Sequence, residues 1–374
     1  MMSGEERIPW IRPDFEPDDA LMRELREILE SGRVTNDGPR VARLEAAVST
    51  YLGVEEVVAV GSGSAALHLS AVAMGGGGRV ILPSFTYIAT LAAVLHAGFD
   101  PVFCDVDPHR WTLDPNHLEQ LLGSTRGVTL VVPVNSYGVP PELDAVRALA
   151  RRHGVRILYD DAHGFGTEYG DGRHPADFGT RALSLHATKA LPAVEGGLIV
   201  PEDPREAARL RRLRSHGLDM PLERSEPGFN ARMDELRAAI ALHSLGRFGA
   251  TLDRRRAYGA RFRDVVERTG GIFVNQARPP EVATNFVNFP LHVPRPGAGG
   301  VDGVVERFAA AGVQTRRYFH PPLHRLEIFR GLPALPVTER LCEGMLCLPL
   351  HGRMSSGALA RVEAAVVSVA EEIA

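Results

Sequence analysis

The sequence predicts an α/β fold, a mostly parallel, doubly wound sheet flanked by helices, with a smaller α+β domain after it. Three observations carry this expectation. The runs VVAV (57–60), RVILP (79–83), PVFCDV (101–106), TLVVPV (129–134) and VRILYD (155–160) are continuously apolar and rich in β-branched residues, as strands covered on both faces are. Between them lie amphipathic segments such as SAALHLSAVAM (64–74) and PELDAVRALARRHG (141–154), so strands and helices alternate. The 374 residues also exceed what one hydrophobic core ordinarily holds. The expected division is a large domain over 1–250 and a small C-terminal domain over 251–374.

Taken in order, DDALMRELREILESG (18–32) is helical, and about the first 20 residues are expected to pack on the small domain or on a partner subunit. GGGG (75–78) is a turn between a helix and a strand. After residue 160, ALSLH (182–186) and GLIV (197–200) are shorter strands, followed by helices rich in arginine and alanine through about 268. The arginine clusters RRLR (211–214) and RRR (254–256) fall in helical patterns and read as solvated faces. TNFVNFPL (284–291), the helical VDGVVERFAAAG (301–312) and a last helix near 356–373 make up the small domain.

Composition narrows the function. With 44% hydrophobic and 24% charged residues the chain reads as soluble and globular. A net charge of −4 gives no electrostatic case for nucleic acid or an anionic membrane. No apolar run is long enough to span a bilayer. The three cysteines, Cys104, Cys342 and Cys347, fit neither a metal site nor a disulfide framework, and a reducing cytoplasm is expected.

Position 189 then stands out. Of 42 lysines and arginines, Lys189 is the only lysine, which leaves 41 arginines. Chance would leave one lysine on a solvated face. Chemistry offers another reason: a desolvated amine can shed its proton and attack a carbonyl, whereas guanidinium stays protonated. Two further segments bear on the choice. GSGSAALHLS (61–70) follows a strand and opens a helix, but it lacks the third glycine of a dinucleotide fingerprint, and no acid occurs between Glu56 and Asp100. What survives is an ordinary strand–helix turn or a phosphate cradle, with Gly63 permitting close approach and Ser64 beside free helix N–H groups. ILYDDAHGFG (157–166) puts Asp160 at the C-terminal end of a buried strand, where ligands bind in open α/β sheets. A helix cap or structural ion pair would read the same way, as would a core histidine at His163. Together, a phosphate cradle, a buried carboxylate and a unique lysine before a mobile EGG turn match the needs of pyridoxal phosphate. Its phosphate takes helix-start donors, its ring nitrogen an anion, and its aldehyde a lysine amine.

The same segments carry a family resemblance. SGSAALHL (62–69), LPSFTYIAT (82–90), PVFCDVD (101–107), YDDAHGFG (159–166), SLHATKALPAVEGG (184–197), GFNARMDELRAA (228–239) and RRYFHPPLH (316–324) occur in the order seen in the DegT–StrS family. The chain resembles these fold-type I pyridoxal-phosphate aminotransferases of nucleotide-linked keto sugars from TNDGPRVARLE (35–45) to its end. The resemblance implies a seven-stranded, mostly parallel sheet in the large domain. It implies that Lys189 forms the Schiff base and shuttles the proton, that Asp160 pairs with the ring nitrogen, and that His163 meets the phenolic oxygen. Tyr87 would stack on the ring, and Gly63, Ser64 and Ser184 would hold the phosphate. Asn230 of a neighbouring subunit would complete the phosphate site, which implies a homodimer with shared active sites. Tyr318 and His320 are the substrate candidates, with small-domain packing as the competing reading.

Departures from the family pattern are His163 for the frequent glutamine, Ser64 for threonine, Tyr87 for Phe or Trp, and ALPAVEGG after the lysine. Relatives that dehydrate sugars carry histidine in place of the lysine, so this chain reads as a transaminase. The expected reaction moves the amino group of L-glutamate to a nucleotide-linked keto-6-deoxy sugar, and the SLHATK…EGG wording leans toward C4 of a 4-keto sugar. Alternatives are a 3-keto sugar, a non-sugar cyclic ketone, another pyridoxal-phosphate reaction such as carbon–sulfur lysis, and a silent regulatory protein on the same fold.

Overall fold

The computed structural model describes residues 7–170 and 179–374. The first half runs α1 (Asp19–Ser31), α2 (Pro39–Leu52), β1 (Val58–Val60), α3 (Gly63–Ala73), β2 (Arg79–Pro83), α4 (Ile88–His96), β3 (Asp100–Cys104), α5 (Pro115–Ser124), β4 (Val128–Val131), α6 (Leu143–His153) and β5 (Arg156–Asp160). There follow β6 (Glu168–Tyr169), β7 (Thr180–Ser184), β8 (Gly197–Val200), α7 (Pro204–Leu213), α8 (Glu235–Gly246) and α9 (Phe248–Glu267). The last hundred residues form β9 (Val274–Asn275), β10 (Val282–Ala283), β11 (Phe289–His292), α10 (Gly300–Ala310), α11 (Pro336–Gly344), β12 (Met345–Leu348) and α12 (Ser356–Ile373).

Seven strands make one sheet in the order β1-β8-β7-β5-β4-β2-β3. The pairs β3–β2, β2–β4, β4–β5 and β5–β7 are parallel, and β8 runs antiparallel between β1 and β7. The expected mostly parallel sheet is therefore present. Its strands are continuous apolar runs because helices cover both faces: every residue of β7 and β8 is buried. β1, β7, β5, β4, β2 and β3 all point one way, so their C-terminal ends share one edge. That edge carries the site.

Element boundaries follow from local chemistry. Asp18 caps α1 by accepting from the Leu21 N–H at 2.8 Å, and Gly32 ends it in the left-handed region. The GGGG turn joins α3 to β2 as expected, and all four glycines have positive φ. A second core is built on α9, α10, α12 and the antiparallel sheet β12-β11-β9. Ile8 belongs to that core: its N–H donates to the Gly312 carbonyl, and its own carbonyl accepts from Gln314. TNFVNFPL is only half a strand, because pairing is confined to 289–292. Asn285 turns the preceding residues toward the large sheet, donating from Nδ2 to the carbonyls of His163 (2.6 Å) and Phe165 (2.9 Å).

The arginine clusters need a correction. Arg214 is buried against Glu45 (2.6 Å) and Asp37 (3.0 Å), and Arg255 is buried against Asp14 (3.0 Å). One member of each cluster is an internal ion-pair partner, and a helical charge pattern does not distinguish it from its solvated neighbours.

Asp160 and Asp161 show how the sheet sorts adjacent acids. Successive side chains point to opposite faces, so Asp161 meets Arg181 of β7 and Asn135, both in close contact, while Asp160 faces the ligand edge. Asp161 and Arg181 are both buried. Removing one charge of a buried pair leaves the other uncompensated, at a cost of about 3–5 kcal/mol. Asp161→Ala is accordingly expected to lose about that much stability in denaturant melts. A loss under about 1 kcal/mol would show the pair to be dispensable.

Candidate active site

Asp160 ends β5 with its side chain 4% exposed. Oδ2 accepts from the Thr90 hydroxyl at 2.6 Å, and that hydroxyl lies 2.9 Å from the Thr86 hydroxyl. Oδ1 accepts from the Ala162 N–H at 3.1 Å. Burial pushes the carboxyl above the usual carboxylate range, while Thr90, Ala162 and the charge of Lys189 oppose that shift. Such a carboxylate gains from a facing cation.

Lys189 lies on the β7–β8 connection. Its N–H donates to the His186 carbonyl at 2.8 Å, and the loop is tied by Leu185 N–H to Gly196 (2.8 Å) and Ala187 N–H to Val194 (2.9 Å). Burial lowers the amine to about 8, with Asp160 working in the opposite direction. An amine titrating there is roughly one-tenth neutral at pH 7, against about three parts in ten thousand for an ordinary lysine. That is the nucleophilic form.

His163, half-buried, accepts the Tyr137 N–H on Nδ1 at 3.1 Å. A backbone N–H must donate, so the neutral ring carries its proton on Nε2. Burial first, and the Lys189 charge second, hold its titration well below the ordinary range. The ring lies nearly parallel to those of Tyr137 and Phe319, at 6.0 and 6.5 Å between centroids. It is therefore an oriented neutral N–H donor.

Farther along the same edge of the sheet, Ser62 caps α3 by accepting from the Ala65 N–H at 3.1 Å. The first-turn N–H groups of Gly63 and Ser64 have no acceptor within the helix, and the helix dipole favours an anion beside them. A Cβ on Gly63 would sit 2.7 Å from the Cβ of Ser184, so glycine is what lets β7 and the helix start approach each other. The glycines of the EGG turn act similarly. Gly196 makes room for Met233 and Gly197 for the Ser62 carbonyl, and neither has positive φ. They provide close packing rather than the turn mobility expected of them.

The sequence candidates thus divide. Lys189, Asp160, His163, Gly63, Ser64 and Ser184 gather at the C-terminal edge of the sheet. Tyr87 is 57% exposed at the start of α4, near enough to Tyr318 to act on its titration. Tyr318 is half-buried, with its ring edge-on to Trp10 at 5.5 Å, and His320 is exposed. The neighbour between them, Phe319, is the one that packs on His163 and Tyr137. Asn230 is exposed and accepts from Arg232 at 3.0 Å. Thr86, Thr90, Tyr137 and Phe319 are functional neighbours that sequence reasoning missed. Thr86 lies just before the cap of α4 and Thr90 in its first turn, and no spacing in the sequence singled them out.

The donor set suits pyridoxal phosphate. Helix N–H groups and Ser184 would hold its phosphate, Asp160 its ring nitrogen, the Nε2–H of His163 its phenolic oxygen, and Lys189 its aldehyde carbon.

Comparison with known proteins agrees. The sequence profile of the DegT/DnrJ/EryC1/StrS aminotransferase family matches residues 16–367. The pleiotropic regulatory protein of Geobacillus stearothermophilus is 30% identical over 358 residues, covering 94% of this chain and 92% of that protein. The crystal structure of DesI in the presence of its TDP-sugar product superposes with a TM-score of 0.91 at 34% identity, covering 98% of this chain and 94% of that one. DesV of S. venezuelae, solved with a ketimine intermediate, gives 0.88 at 29% identity, with 98% and 99% covered. The chain belongs to the DegT/DnrJ/EryC1/StrS family and is a fold-type I, pyridoxal-phosphate-dependent aminotransferase.

Proposed function

We propose that the enzyme moves the amino group of L-glutamate to C4 of a nucleotide-linked 4-keto-6-deoxyhexose. The observation that carries the reaction type is a single lysine, titrating at about 8, within charge range of a buried carboxylate at the ligand edge of the sheet. The substrate class is supported by the TDP-sugar product present with DesI. The lean to C4 rests on the wording SLHATK…EGG.

Bound pyridoxal phosphate supplies an electron sink for the pair left behind when a proton leaves the amino-acid α-carbon. The residues do the rest. Lys189 would hold the cofactor covalently at Nζ, and its neutral amine would serve as the base for the amino-acid α-proton and as the acid that delivers it to the cofactor's former aldehyde carbon. Asp160 keeps the ring nitrogen protonated, fixed by Thr90 and Ala162. His163 orients the phenolic oxygen with its Nε2–H, and Tyr87 covers one ring face. Tyr318 and His320 line the sugar side. For the sugar half-reaction the same proton path runs backwards.

Asn230 would complete the phosphate site of a second copy. Leu218, Met220, Leu222 and Phe229 beside it are 57–77% exposed, an apolar surface that water disfavours and a dimer would cover. Division into a large and a small domain near residue 250 fits α9, which begins at Phe248 and enters the second core. Among the described residues no helix is long and apolar enough to cross a membrane, and we place the enzyme in the cytoplasm.

Mass spectrometry of glutamate-driven turnover on nucleotide-linked 4-keto and 3-keto deoxy sugars and on non-sugar cyclic ketones tests this reading. Amination of the 4-keto sugars is expected. Product from the 3-keto sugar alone, or from the carbocycle alone, would replace it with one of the alternatives. Gly63→Ala is expected to weaken cofactor binding about 10–100-fold, the loss of one or two charge-assisted hydrogen bonds at about 1.5 kcal/mol or more each. Absorbance titration of the apoenzyme measures it, and an unchanged affinity would remove Gly63 from the cradle.

A further inference from the structure

Away from the sheet edge that carries the candidate site, α9 and residues 278–286 around β10 flank an open cavity of about 250 Å³ lined by three arginines, Arg256, Arg263 and Arg278, together with Thr284 and Phe286. Among the described residues no aspartate or glutamate lines it. Arg256 and Arg263 stand seven residues apart on one stripe of α9, with Ala260 between them leaving the space open. Arg256 reaches Glu168 at 3.1 Å. Among the described residues Arg278 has no such partner. Its guanidinium lies 4.3 Å over the Phe286 ring, and that ring is itself seated against Gly259, where any Cβ would collide with it.

Just beneath this wall, three buried polar atoms of its residues find no hydrogen-bond partner among the described residues: Nε and Nη1 of Arg278 and Oγ1 of Thr284. A guanidinium does not escape burial by losing its proton in practice, and buried donors left unpaired call for a ligand or ordered solvent. The ring contact compensates part of the charge but none of the N–H groups. Burial, followed by the like charge of Arg263, lowers Arg278 to about 10, with no carboxylate opposing. Everything the cavity lacks is an oxyanion.

We propose that this cavity is a second anion site, separate from the cofactor cradle, which takes a phosphate group between Arg278 and Arg263. Forked guanidinium donors match phosphate oxygens in pairs. The volume falls below the range of about 300–1,000 Å³ used for larger ligands, so the group arrives as inorganic phosphate or as a small phosphate ester rather than as a nucleotide.

The test is isothermal titration calorimetry on the cofactor-loaded enzyme, whose cradle is already filled, with inorganic phosphate and separately with glycerol 3-phosphate at constant ionic strength. One-site binding is expected, weakened at least tenfold by Arg263→Ala and abolished by Arg278→Met, which keeps the volume over Phe286 and removes the charge. Tighter binding of the ester would identify an ester ligand; equal or weaker binding would identify free phosphate. Arg263 is exposed, so its variant stays folded, and its amine transfer without phosphate is expected to equal that of the parent. No binding heat with either probe, or isotherms unchanged in both variants, would overturn the proposal.

Discussion

Lys189→Ala is expected to lose at least about 10⁴-fold in amine transfer and to remain folded. Two functions disappear together: the covalent hold on the cofactor and the base that moves the α-proton, the latter alone worth about 10²–10⁴. No second lysine exists to substitute, since the other 41 of the 42 lysine and arginine side chains are arginine. Lys189→Arg is expected to fail equally, because it restores the charge without a neutral form. Circular dichroism and a melting curve establish that the fold survives; retention of more than about a hundredth of the activity in either variant would contradict the assignment. The wild-type amine adds a pH signature. Its titration is lowered to about 8, so the neutral fraction grows as pH rises through that value. Capture of pyridoxal phosphate by the apoenzyme should therefore accelerate about tenfold between pH 7 and pH 9 and then level off. A lysine at its ordinary value would keep accelerating beyond pH 10.

Asp160→Asn should be the next largest loss, about 10²–10³-fold in kcat with a smaller change in KM. The amide keeps the shape of the side chain: its oxygen can still accept from the Ala162 N–H, and its NH2 can donate to the Thr90 hydroxyl once that hydroxyl turns its proton to Thr86, so what the change removes is charge. That charge acts in a buried setting where a preorganised ion is worth most. Burial already destabilises the carboxylate, pushing its titration upward, and the ring nitrogen's proton is the cation that relieves it. A fall in KM-type binding with kcat unchanged would show that Asp160 only anchors the ring.

The parts of this arrangement that depend on one residue's chemistry were legible in the amino-acid order. Lys189 stood out by being unique, and Asp160 by ending a buried strand. The sheet was legible because strands covered on both faces need unbroken apolar runs. Which of Asp160 and Asp161 faces the ligand follows from strand alternation and from where β5 stops. Thr90, Tyr137 and Phe319 were not legible. They are common residue types, and their roles come from contacts across the fold: Thr90 with Asp160 over 70 residues, and Tyr137 with His163 over 26. The split of TNFVNFPL was not legible for the same reason: Asn285 spends its amide on the His163 and Phe165 carbonyls, and strand pairing begins only at Phe289. Arg214 and Arg255 misled because a helical charge run looks the same whether or not one member is buried against a distant acid.

Borohydride reduction of the cofactor-loaded protein, followed by digestion and peptide mass spectrometry, tests the central claim most directly. The account predicts a reduced pyridoxyl-phosphate increment on the peptide that contains Lys189 and on no other. An unmodified Lys189 peptide from fully loaded enzyme would contradict it.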